Sequence, residues 1–109
     1  MKERQESNLS AVSHNYLKRI LPSRALSRAY RDHNWEEYPI EFKKLDRALT
    51  LFAFEKGYRI FYNVLFDYYV EKLTMKQIAE KYNYSVATIE RKKKEALELF
   101  TAYIPHEER

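Results

Sequence analysis

An all-α domain of about five helices with a C-terminal helix-turn-helix is the fold this sequence predicts. Three observations carry it. One glycine and three prolines in 109 residues leave few positions that break a helix. Apolar residues recur at spacings of three and four, the period of a helix buried along one side. Capping residues stand where the periodic runs begin or stop.

Residues 1–6, MKERQE, are polar and are expected to form a disordered start. Ser7 or Asn8 is placed to cap a first helix whose Leu9, Val12, Tyr16 and Ile20 share a face, with Pro22 marking its end. Ser23 is placed to cap a second, short helix carrying Leu26, Ala29 and Tyr30. The stretch DHNWEEYP breaks the period and reads as a loop, with Trp35 and Tyr38 tucked back onto the domain. From Ile40 the spacing returns, and Phe42, Leu45, Leu49, Phe52 and Ala53 lie together. Gly57 marks the end of that helix, since a left-handed cap costs glycine no steric penalty. Ile60, Phe61, Val64, Leu65, Tyr68 and Tyr69 then make a wide apolar stripe ending near Lys72.

The chain has the size of one domain, expected over residues 7–109. It has no cysteine, which excludes disulfides and thiolate metal sites and makes a reducing cytosol the default. No apolar run approaches the roughly 20 residues of a membrane span, and the start MKERQES lacks the apolar core of a signal peptide. A cytoplasmic protein with no membrane partner is expected. A net charge of +4 and a pI near 9.2 allow a polyanionic partner without demanding one. His14, His33 and His106 have no second histidine or acid at ligand spacing, so no metal site is expected. The acids of WEEYPIE lack a partner base or nucleophile and read as a solvated loop. With no glycine-rich phosphate loop and no Ser/His/Asp set, neither an enzyme nor a cofactor is expected. The ten tyrosines, at helical spacing, are assigned to the core rather than to stacking on unpaired bases.

Most information lies in LTMKQIAEKYNYSVATIERKKKEALELF. Thr74 and Gln77 have the spacing of a reciprocal capping pair. Ile78, Ala79 and Tyr82 face inward along a short helix, and the small Ala79 permits a close, steep crossing. Asn83 stands at a sharp turn, where asparagine tolerates a left-handed backbone. Tyr84 is expected to bury beside the turn, Ser85 to cap a second helix, and Ile89 to pack that helix on the first. This is the plan of a helix-turn-helix over about residues 75–94, whose second helix would enter the DNA major groove.

At roughly 100° per residue, Val86, Ile89, Ala96, Leu97 and Phe100 fall on one face of that second helix. Ala87, Arg91, Lys94 and Glu98 point away, flanked by Thr88 and Glu90, while Lys92 and Lys93 snorkel from the edges. Residues 72–94 hold seven Lys/Arg against two Glu, a surplus of five in a chain of total charge +4. The expected base contacts are Ala87, Thr88, Glu90, Arg91 and Lys94: arginine donates to guanine, glutamate accepts from cytosine, and small side chains meet the thymine methyl. Thr74, Lys76, Ser85, Lys92 and Lys93 are the expected phosphate contacts.

The same stretch resembles region four of bacterial sigma factors, and more closely the phage regulators of the ArpU and RinA type. Tyr82, Tyr84, Ser85, Thr88, Arg91, Lys93, Ala96 and Leu97 fill the pattern YxYSxxTxxRxKxxAL of the latter. The likeness covers about residues 58–103, with YRIFYNVLFDYYVEK similar to the helix leading into the motif. Asn83 replaces the sigma-factor turn glycine and Lys92 a buried apolar residue, which favours the phage-regulator version. The resemblance implies a transcriptional regulator of duplex DNA, an activator of phage or mobile-element late genes, with residues 41–104 as the sigma-region-four-like part. It also implies RNA polymerase as a possible partner. The alternatives are a module that contacts the polymerase without holding DNA, and the DNA-recognition part of a phage packaging machine. Residues 7–40 match nothing specific. Leu9, Val12, Tyr16, Ile20 and Leu26 either face a second subunit in a homodimer or complete the monomer's own core.

Overall fold

The computed structural model describes the backbone of residues 2–109 and the side chains of residues 9–109. The expected disordered start and the cap at Ser7 or Asn8 lie outside the residues whose side chains are described. Every regular element among the described residues is helical. There are six α-helices rather than about five: α1 (Lys2–Ile20), α2 (Arg24–Arg31), α3 (Pro39–Phe54), α4 (Arg59–Leu65), α5 (Met75–Tyr82) and α6 (Val86–Phe100). No helix of the described residues is long and apolar enough to cross a membrane.

Local chemistry sets the boundaries. Ser23 caps α2, its hydroxyl accepting from the Leu26 amide at 3.2 Å. The same helix ends at His33, φ 60°, with the Asn34 amide reaching back to the Ala29 carbonyl at 2.9 Å. Trp35 folds back as expected, stacked on Tyr30 and donating from its indole to the Tyr30 carbonyl at 3.0 Å. Tyr38 does not bury: it stays exposed as the residue before Pro39, which opens α3 at a position needing no amide donor. Gly57, φ 85°, is the third residue of the turn closed by the Tyr58 amide on the Glu55 carbonyl.

The stripe after Gly57 is not a plain α-helix. α4 runs directly into a π turn over Phe66–Val70, where the Glu71 amide bonds the Phe66 carbonyl at 3.0 Å. The wider turn delays the buried face by one residue. Val64 and Leu65 are buried, and their successors are Tyr69 and Val70, whereas the expected Tyr68 is only partly covered. The extra residue also turns Asp67 inward.

α6 is the hub of the molecule, packing against α1, α4 and α5. The larger core gathers Tyr16, Leu17, Phe42, Leu45, Phe52 and Phe100 from α1, α3 and α6. A smaller one joins Val64, Ile78, Ala79 and Ile89, and Tyr68 packs against both. At the far end of α6, Thr101 and Ser13 share a buried hydroxyl contact of 2.8 Å that ties α1 to α6. Of the apolar positions in 7–30, Tyr16 and Ile20 are buried in this core, and Val12 and Leu26 pack partly against it. Leu9 alone stands out, 44% exposed.

Candidate nucleic-acid interface

The two C-terminal helices are fixed by three caps. The Thr74 hydroxyl accepts from the Gln77 amide at 3.1 Å while the Gln77 side chain accepts from the Thr74 amide at 2.9 Å. Asn83 takes φ 61° and ψ 44°, and the Tyr84 and Asn83 amides return to the Ala79 and Glu80 carbonyls. The Ser85 hydroxyl then accepts from the Thr88 amide at 3.1 Å and opens α6. Ile78, Ala79 and Ile89 are buried where the two helices meet, with Tyr82 partly covered. Burying one isoleucine in this way stabilises by about 1.5–3 kcal/mol, most of what holds so small a pair together.

Beneath the pair sits Asp67, which sequence reasoning missed. Its carboxylate is buried, 3% exposed, and accepts from the Tyr82 hydroxyl at 2.6 Å and the Lys81 ammonium at 3.0 Å. The hydrogen bond holds the Lys81 pKa above the ordinary lysine value. Lys81 is therefore tied to the scaffold and belongs to no ligand-binding set. The signal was available: Asp67 is the only acid between Ile60 and Val70, at a position that an otherwise apolar stripe would bury.

Ala87, Glu90, Arg91 and Lys94 are exposed along the outer side of α6. Thr88 is half-buried, its hydroxyl 2.9 Å from that of Ser85 and accepting from the Arg91 guanidinium at 3.2 Å. Thr74, Lys76 and Ser85 are exposed on the same pair of helices. Lys92 and Lys93 do not extend outward as expected. The Lys93 ammonium lies 3.9 Å from the centre of the Tyr68 ring, and that of Lys92 lies 5.4 Å from Tyr84 and 5.9 Å from Phe61. Among the described residues none of Lys76, Arg91, Lys92, Lys93 and Lys94 is neutralised by an ion pair.

Two expectations for the inner face are corrected. Tyr84 is 43% exposed rather than buried, because the left-handed turn at Asn83 lays its ring along α6 beside Lys92. Val86 is 40% exposed, since the first turn of α6 lies outside the cluster in which Ile89 meets α5. Both add apolar surface at the tip of α6, next to Ala87. No group of three or more potential metal ligands occurs among the described residues. Set against protein-family models, curated proteins and solved structures, the chain matches none.

Proposed function

We propose that α5 and α6 form a helix-turn-helix that binds duplex DNA, with α6 in the major groove, and that the protein regulates transcription. The observation that carries this reading is the uncovered outer face of α6. Arg91 and Lys94 are exposed there without an acidic partner among the described residues, beside a helix whose ends are fixed by a capping box and a left-handed turn. A positively charged face held at a fixed angle is the requirement for reading base edges, since phosphate contacts position a protein and groove contacts specify the site. Ala87, Val86 and the Thr88 methyl supply surface for a thymine methyl, Arg91 and Lys94 donors for guanine, and Glu90 an acceptor for cytosine. Thr74, Lys76, Ser85, Lys92 and Lys93 hold the backbone. Control of phage or mobile-element late genes, in the sense of activation, follows from the family resemblance.

Selection of a bound site from random duplex, followed by titration of Arg91→Ala, tests the reading. The variant should lose about 1–3 kcal/mol on the selected site and relax preference at one base pair. An equal loss on every sequence would make Arg91 a backbone contact, and absence of salt-dependent binding by the native chain would refute DNA binding. A second reading, a module that contacts RNA polymerase, has one observation in its favour: Leu51 and Phe54 on α3 are exposed, Phe54 to 83%. Polymerase capture lost in Phe54→Ser, from a protein without affinity for duplex, would favour it.

A further inference from the structure

Lys18 of α1, Arg24 of α2 and Lys72 in the loop before α5 meet in a cleft of about 250 Å³, with Tyr68, Tyr69 and Thr74 on its walls. No acid lines it, and none of the three cations has an ion pair among the described residues. Lys72 donates to the Leu21 carbonyl at 2.7 Å, which anchors its ammonium and leaves its other N–H bonds for a ligand. Its backbone is held at φ 60°, a conformation unfavourable for a residue with a full side chain. Burial, then the charges of Lys18 and Arg24, hold the Lys72 pKa below the ordinary lysine value. The cations are thus crowded beyond what favours them, a condition that a bound anion relieves.

The cleft is continuous with the face of α6. Tyr68 lines it and also lines the adjoining groove of about 400 Å³ bordered by Glu90, Lys93 and Lys94. Positive charge therefore runs from α6 across the Tyr68 ring to α1 and α2. Three donors converging from three elements suit the several oxygens of a phosphodiester better than a planar carboxylate, which a single arginine binds in two-point fashion. We infer that this cleft binds one backbone phosphate of the duplex read by α6, through Lys18, Arg24, Lys72 and the Thr74 hydroxyl, making α1 and α2 part of the DNA-binding surface. The inference rests on the DNA reading above.

The test uses the full chain carrying Lys18→Gln and Arg24→Gln together, both exposed positions, with thermal unfolding as the check on folding. Affinity for random duplex is measured from 50 to 200 mM KCl. The slope of log affinity against log salt should fall by about one, so that the variant's deficit shrinks roughly 3-fold over that range on any sequence. Ethylation of one backbone phosphate should weaken the native protein and leave the variant unaffected. Lys72→Gly, which removes the cation and relieves the left-handed backbone, should give the same loss of slope without loss of stability. Native slope and native ethylation pattern in these variants would overturn the cleft while leaving the α6 reading intact. A native chain without duplex affinity overturns both. Stabilisation by inorganic phosphate, lost in the variants while their DNA slope is unchanged, would make it a small-anion site and also overturn the inference.

Discussion

Replacing Asp67 by asparagine removes a charge and keeps a shape, and its cost can be divided between two partners. The Tyr82 hydroxyl, 2.6 Å away and partly buried, donates to the carboxylate. Hydrogen bonds of that kind contribute about 1.5–3 kcal/mol, of which an amide oxygen recovers about 1. Lys81 is the weaker partner: its side chain is half exposed, so water replaces most of what it loses, and the pair contributes about 0.2–1 kcal/mol. Asp67→Asn should therefore destabilise the protein by about 1–3 kcal/mol, with Tyr82 the larger share. Urea unfolding followed by circular dichroism, in double-mutant cycles with Tyr82→Phe and Lys81→Met, separates the two couplings. A total below about 0.5 kcal/mol, or a Lys81 coupling larger than that of Tyr82, would refute the assignment of Asp67 as the buried anchor of α5.

Ile89→Ala should cost about 2–5 kcal/mol in the same assay, because Ile89 is fully buried in a small cluster with little material to refill the space; a loss under 1 kcal/mol would show that the two C-terminal helices are held by something else. His14, beside the Tyr69 hydroxyl at 2.7 Å, has its pKa lowered from 6.5 by burial and then by Lys93 and Lys18. The unfolded chain thus takes up that proton first, so its contribution is present above pH 6.5 and is lost as pH falls towards the folded-state pKa. His14→Gln should lose less stability than the native protein between pH 7.5 and 5.5, roughly the window of an unperturbed histidine, and equal losses would count against the effect. A chain beginning at Glu41 should fail to fold, as seen by thermal melting, because α1 supplies Tyr16, Leu17 and Ile20 to the main core. A cooperative melt of that fragment would show a smaller autonomous unit than the core implies. Sedimentation of the full chain is consequently the appropriate measure of the expected homodimer.

What the sequence disclosed best was local. The Thr74–Gln77 pair, the Asn83 turn and the Ser85 cap each follow from chemistry within four residues, and each is found in the structure. The exposure of Tyr84 and Val86 was not legible, because it depends on where α6 clears α5 and not on the period of α6 itself. The destination of α1 was equally hidden: its stripe announces a partner without saying whether that partner is α6 of the same chain. The cleft at Lys72 joins residues up to fifty-four positions apart, Lys18 to Lys72, and no spacing rule connects them. The charge surplus of residues 72–94 was read correctly as a sum and only partly as a surface. Lys81 faces Asp67 and Lys72 a carbonyl, while Lys92 and Lys93 rest on aromatic rings.

The π turn at Phe66–Val70 has a consequence for how the gene tolerates length changes. A π turn is a helix accommodating one residue more than its period allows. Deleting a single codon there would let the segment relax to a regular α-helix, and nothing in the composition of the protein would register the change. Everything after it would nevertheless be re-aimed by roughly 100°, the angle one residue subtends. Asp67 would leave Tyr82, Lys72 would leave Leu21, and the Ile78–Ile89 contact would meet the wrong side of α4. One-residue deletions between Arg59 and Lys72 should thus be far more damaging than deletions of the same size in the loop at 33–37, where no helix phase is carried forward.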